Sequence, residues 1–172
     1  SVPVGLVLNA HSIFPGSDGP ADRAAMLRAF DFHNGVFFDP VFKGHYPPAF
    51  MEALGKQMPE IAEGDLATIN RPLDWWGLNY YTPMRVADDP SEGAVFPATV
   101  AAPPVEESRT DIGWEICPSA LRSLVEELYA RYDLPDLYIT ENGAAYNMGI
   151  EDGAVDDQPR LDAPTAFEHE AH

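Results

Sequence analysis

Three short runs of apolar, β-branched and aromatic residues set the frame for this chain: Val4 to Leu8, Leu73 to Leu78 and Leu137 to Ile139. Each reads as a strand, and each passes at once into hydrogen-bonding residues. Leu8 gives way to Asn9, His11 and Ser12; Leu78 to Asn79, Tyr80 and Tyr81; Ile139 to Thr140, Glu141 and Asn142. Helical patterns and a long loop separate the runs, an order that fits parallel strands joined by crossovers, so the fold class is α/β and not a sandwich. In barrels and doubly wound sheets alike, ligands bind at the carboxyl edge of such strands, which makes the three polar clusters the first place to look for chemistry.

Between the first two runs, Pro20 sits where helices begin, and Met26, Leu27 and Phe30 recur at roughly helical spacing, giving a helix from about Ala21 to Asn34. Shorter helices are expected at Pro48 to Leu54 and at Glu63 to Ile69. The clearest helix follows Pro118 and Ser119, where Leu121, Leu124, Val125, Leu128 and Tyr132 line one face before Pro135 ends it. From Tyr81 to Ile112 there is little period of either kind, with Pro83, Pro90, Pro97, Pro103 and Pro104 punctuating it, so a long functional loop is expected there.

Composition removes several function classes. With 10 Lys+Arg against 28 Asp+Glu the formal charge is −18, which argues against binding a phosphate backbone. The wholly apolar stretches are a few residues long, far short of the roughly 20 that span a bilayer. The lone Cys117 cannot form an internal disulfide and is compatible with a reducing, cytoplasmic compartment. No metal or organic cofactor is called for. His169-Glu170-Ala171-His172 lacks zinc-protease spacing, Asp152, Asp156 and Asp157 do not follow the calcium-loop pattern, and no glycine-rich phosphate loop occurs. The opening Ser1-Val2-Pro3-Val4 has neither an initiating Met nor a leader pattern, as expected of a chain whose true start has been removed or of a piece of a longer protein.

The segment Leu137-Tyr138-Ile139-Thr140-Glu141-Asn142-Gly143 resembles the nucleophile motif of glycoside hydrolase family 1, the retaining β-glucosidases and β-galactosidases built on a (β/α)8 barrel. It does not stand alone. Val4 to Asn9 is similar to the family's fifth strand, Asp74-Trp75-Trp76-Gly77-Leu78-Asn79-Tyr80-Tyr81 to its sixth, and Thr110-Asp111-Ile112-Gly113-Trp114-Glu115-Ile116 to the segment leading towards strand seven. Asp156 to Asp162 resembles the turn after strand seven. The resemblance therefore implies a portion of a barrel, about three parallel strands with helices and long loops, over residues 1–162, followed by an atypical tail over residues 163–172 that Pro164 would keep from continuing as a helix.

Retaining hydrolysis needs two carboxyl groups roughly 5 to 5.5 Å apart, one attacking as an anion and one protonating the departing oxygen. The resemblance assigns the attack to Glu141. Tyr81 would donate its phenol to that carboxylate and favour the charged form, and Asn79 would be a polar contact beside it. Trp114 resembles the indole that platforms the leaving group; Asn9, and more weakly His11, would face the same side. Trp75 and Trp76 read as packing residues. The Asn-Glu-Pro that carries the family's acid/base occurs nowhere in these 172 residues. The implied partner is a β-glycoside or oligosaccharide. The same residues leave open a sugar-binding remnant without turnover, and a structural half that pairs with a complementary barrel portion or with itself, because three barrel strands alone leave two open sheet edges.

Overall fold

Parallel pairing of the three anticipated strands organises the molecule. The computed structural model describes residues 2–89, 98–101, 103, 109–146, 150–151 and 154–155. In chain order come β1 (Gly5–Asn9), β2 (Ile13–Pro15), α1 (Pro20–Phe30), α2 (Val36–Phe42), α3 (Pro48–Leu54), α4 (Asp65–Ile69), β3 (Trp75–Asn79), β4 (Met84–Asp88), β5 (Ala98–Val100), α5 (Pro118–Arg131), β6 (Asp136–Glu141), β7 (Ile150–Glu151) and β8 (Ala154–Val155). The strands β1, β3 and β6 form one sheet in that order, both pairings parallel, as three neighbouring strands of a barrel must. The turn at Asp156 to Asp162 and the tail 163–172 lie outside the described residues.

The two faces of this sheet differ. Trp76 and Leu78 are fully buried among Phe38 of α2 and Leu124 and Leu128 of α5, with the Trp76 ring edge-on to Phe38 at 5.6 Å. Helix α5 buries Ala120, Leu124 and Leu128 with Leu121 and Val125 packed alongside, the face expected from the 3.6-residue period. Burying each of those leucines stabilises the fold by roughly 1.5–3 kcal/mol. On the other face Trp75, Gly77 and Asn79 alternate with them and look into the barrel interior, where Trp75 meets Tyr138 edge-on at 5.7 Å. Gly77 is needed there: a Cβ on it would stand 2.8 Å from Thr140 Cγ2 and 2.9 Å from Val7 Cγ2.

Two elements differ from the sequence expectation. The helix expected to end at Asn34 stops being α-helical at Phe30, passes through a π-helical turn at Asp31–Gly35 and resumes as α2 with Pro40 inside it. A π turn holds more residues than an α turn and breaks the 3.6-residue spacing, which is why the apolar pattern appeared to end early. The segment from Tyr81 to Ile112 is not structureless. It carries β4 and β5, and β4 pairs in parallel with β2 and antiparallel with β5. These strands are short and turn only isolated residues inward, Ile13 and Val86 chief among them, too little for a period-2 pattern.

Strands β2 and β4 are continuations of β1 and β3. After Asn9 and Asn79 the first ladder stops, Ala10 N–H donating to the Asn79 carbonyl at 3.3 Å, and Met84 N–H to the Ser12 carbonyl at 2.8 Å begins the second. The two ladders stand in series with a short gap between them, bounded by Ala10 to Ser12 on one side and Tyr80 to Pro83 on the other.

Helices α2 and α5 are tied by a polar cluster. The Tyr132 phenol donates to Asp39 Oδ1 at 2.7 Å, and Lys43 Nζ lies 3.0 Å from the same oxygen and 4.3 Å above the Tyr132 ring. Burial, and then the Asp39 acceptor, push the Tyr132 phenol well above the ordinary range, and burial does the same to Tyr80. Both fold with proton affinities above the unfolded value of about 10, so their contribution is complete below that pH and is lost as pH rises above it. Thermal midpoints measured between pH 8 and 11.5 should be level up to about pH 10 and then fall, with a shallower fall in Tyr132→Phe. A level profile throughout would contradict this.

Candidate active site

The last residues of β1, β3 and β6 stand in one row: Asn9 opposite Asn79, and Asn79 opposite Glu141. Register partners share a face, so all three side chains belong to the inward face at the carboxyl edge. Simple alternation would not have put Glu141 there. Leu78 pairs with Ile139 on the helix side, so the next rung should match Asn79 with Thr140 and return Glu141 to the helix layer beside Tyr80. Instead β6 carries one extra residue at this point, and Glu141 takes the place opposite Asn79. Such a bulge re-aims a side chain at the rim of a barrel. Thr140, the extra residue, donates its hydroxyl to Asn79 Oδ1 at 2.6 Å.

Glu141 is exposed, and its Oε2 accepts the Tyr81 phenol. The Tyr81 proton is held more tightly than an ordinary phenol's because that carboxylate accepts it. The backbone around the pair is also fixed: Tyr80 N–H donates to the Glu141 carbonyl at 3.0 Å and Asn142 Nδ2 to the Tyr80 carbonyl at 2.8 Å.

Trp114 comes to this pair from a distant stretch of chain, its ring centroid 5.6 Å from that of Tyr81. A tight turn carries it: Gly113 holds φ +84°, its N–H donates to the Thr110 carbonyl at 2.8 Å, and the Trp114 N–H donates to Thr110 Oγ1 at 3.1 Å. Behind the indole, buried Glu115 takes a two-pronged ion pair from Arg85 of β4, Nε to Oε2 at 3.0 Å and Nη2 to Oε1 at 2.6 Å, and its carbonyl accepts Thr82 Oγ1 at 3.0 Å. Sequence reading placed Trp114 by resemblance but overlooked Thr82, Arg85 and Glu115. A charged residue following an indole was the available signal, and it could not reveal a partner 30 residues away.

Tyr81, Trp114 and Glu115 line a cavity of about 550 Å³ together with Thr82, Arg85 and His11. Asn9 lies elsewhere. It borders a second cavity, of about 660 Å³, with Val7, His33, Phe37 and Phe50. The structure thus unites Glu141, Tyr81, Asn79 and Trp114, and places Asn9 in line with them but away from the indole. His11, overlooked as more than a weak candidate, borders both cavities. Among the described residues, no three of His, Cys, Asp and Glu gather closely enough to hold a metal ion, and no helix is long and apolar enough to cross a membrane.

Parallel strands whose carboxyl edge presents a carboxylate bonded by a phenol, with an indole beside that phenol, form a portion of an α/β barrel. The sequence matches the Glycosyl hydrolase family 1 profile over residues 1–170, and the chain belongs to that family. A β-glucosidase of Agrobacterium sp. (strain ATCC 21400) is 67% identical over 161 residues, covering 94% of this chain and 35% of that enzyme. The virulence factor SghA from Agrobacterium tumefaciens superposes with a TM-score of 0.90 at 63% identity over 96% of this chain and 37% of that one, and has also been solved with its substrate analog salicin. A family 1 β-glucosidase from Thermotoga maritima gives a TM-score of 0.84 at 32% identity over 97% of this chain and 37% of that one. The chain therefore spans about a third of the length of the relatives it matches.

Proposed function

We propose that this chain supplies the nucleophile side of a retaining β-glucosidase site. The observation that carries the reading is the Tyr81 phenol donating to the Glu141 carboxylate at the carboxyl edge of β6, with the Trp114 ring beside it. Glu141 attacks the anomeric carbon as an anion and forms a glycosyl ester, the leaving oxygen being protonated by a second carboxylic acid, which the 172 residues do not supply in the family's Asn-Glu-Pro form. Water then cleaves the ester. Tyr81 aims the Glu141 carboxylate by its hydrogen bond, Asn79, itself bonded by Thr140, is a polar contact for the sugar, and Trp114 platforms the leaving group. Asn9 extends the polar row from β1. The substrate is a β-glycoside or oligosaccharide, in keeping with the salicin bound by SghA. The free Cys117 accords with a cytoplasmic setting.

The test is covalent trapping. Incubation with a 2-fluoro-2-deoxyglucosyl compound bearing an activated leaving group, which needs little protonation, should add one sugar to the intact mass, and peptide mapping should place it on Glu141. It should be absent from Glu141→Gln. Labelling elsewhere, or an unchanged yield in the variant, would sink the assignment.

A second reading concerns assembly. Leu6 and Val7 on β1 and Tyr138 and Ile139 on β6, the two outer strands of the sheet, are exposed although large and apolar. Such edges accept further strands. We infer that a complementary barrel portion, or a second copy of this chain, covers them. Size-exclusion chromatography across a hundredfold range of concentration separates an associating chain from a monomer, and sugar binding without turnover would mark an inactive remnant.

A further inference from the structure

His11 occupies the gap between the two ladders, so its backbone has no strand partner in register: the β1–β3 ladder ends at Ala10 and the β2–β4 ladder begins at Ser12. A buried peptide group without partners is strongly disfavoured. The side chain of Asn34 takes the place of the absent strand. It accepts the His11 N–H on Oδ1 at 3.0 Å and donates Nδ2 to the His11 carbonyl at 2.9 Å, so both ends of one amide are used on one residue. Asn34 is itself 0% exposed and sits in the π-helical turn, the one departure from α geometry between Pro20 and Phe42. That turn also brings the His33 ring edge-on to His11 at 5.8 Å. His11 is therefore held through its backbone by Asn34, with the His33 ring against its imidazole.

What this fixes is a wall. His11 borders both the cavity lined by Tyr81 and Trp114 and the one lined by Asn9 and His33. Resting on the β-glucosidase reading above, we propose that Asn34 is a positioning residue which, by clamping the His11 backbone, holds the imidazole as the partition between these cavities and so sets the site's preference for flat aromatic leaving groups. The first cavity then presents three rings, Tyr81, Trp114 and His11, to the departing group. A flat aryl group can stack on such surfaces, and an alkyl group cannot. Asn34 touches neither cavity and acts only through His11.

The two-step reaction offers a test that a merely structural role would not pass. The leaving group is present during attack by Glu141 and gone when water cleaves the ester, so a residue that places the leaving group changes the first step alone. The assay uses the full product of the reading frame or, where that is this chain, residues 1–162 in place of the matching stretch of the Agrobacterium enzyme. In Asn34→Leu, kcat/KM for an aryl β-glucoside should fall roughly tenfold relative to that for an alkyl β-glucoside, while hydrolysis of the trapped 2-fluoroglucosyl ester keeps its rate within about twofold. His11→Ala, which leaves the backbone clamp intact, should reproduce the loss of aryl preference, and the double variant should add nothing to it. An unchanged aryl-to-alkyl ratio in His11→Ala overturns the proposal even if Asn34→Leu fails to fold. So do equal losses in both steps, or losses that add in the double variant. Failure of the underlying reading shows differently, as turnover that survives Glu141→Gln.

Discussion

Glu141→Gln in the complete barrel will lose on the order of 10⁴-fold in kcat, ~5 kcal/mol of transition-state stabilisation. The amide is nearly isosteric and keeps an oxygen to accept the Tyr81 phenol, so the packing of β6 against β3 and the row from Asn9 to Glu141 should persist. What disappears is the anion that the proposed mechanism uses to form the ester, and Asn9 and Asn79, its partners in the row, carry no carboxylate to replace it. Affinity for a competitive sugar should therefore change only a few-fold. Tyr81→Phe gives the graded comparison. It removes the hydrogen bond to the Glu141 carboxylate and should cost roughly ten- to a hundredfold in kcat. Steady-state kinetics on an activated aryl glucoside decide the matter, and a Gln variant with more than about a tenth of the parent rate would remove Glu141 from the chemistry.

Trp76→Ala should have the largest effect on stability. The indole is 0% exposed, edge-on to Phe38 at 5.6 Å and 6.5 Å from the Tyr129 ring, so it joins β3 to α2 and α5. Truncating a buried indole typically costs 3–5 kcal/mol, a large part of the roughly 5–15 kcal/mol that holds a domain together. The urea midpoint should collapse or the cooperative transition vanish. Its neighbour provides the contrast. Trp75 lies on the inward face and is only half-buried, its indole filling the space that a side chain at position 5 would need. Trp75→Ala should lose visibly less. Equal losses at the two positions would mean that the assignment of sheet faces is wrong.

The adjacent tryptophans also show how far sequence carries. Strands β1, β3 and β6 and helix α5 were legible because each announces itself locally, through an apolar run or a helical period, whereas Glu141, Tyr81 and Trp114 were singled out through the resemblance of the short strings that hold them. The fold around them was not. Whether Glu141 faces the interior depends on one extra residue at Thr140, and in sequence Thr-Glu-Asn looks the same with or without a bulge. β4 was invisible because its partner β2 lies some 70 residues earlier and neither has enough inward residues to make a pattern. Asn34 reads as the polar end of a helix, its usual meaning, since only tertiary structure brings it to a backbone 23 residues away.

The gap between the two ladders has a consequence for how such proteins can be recombined. Two short backbone segments, Ala10 to Ser12 and Tyr80 to Pro83, carry β1 and β3 of the sheet that holds Glu141 directly into β2 and β4. A cassette exchanged between homologues from Met84 to Glu115 would take the Trp114 turn and its Arg85–Glu115 support as one unit and leave the Asn9–Asn79–Glu141 row untouched. On the proposed reading, leaving-group recognition and bond cleavage would then be separately heritable, with His11 and Asn34 on the side of the seam that such an exchange leaves behind.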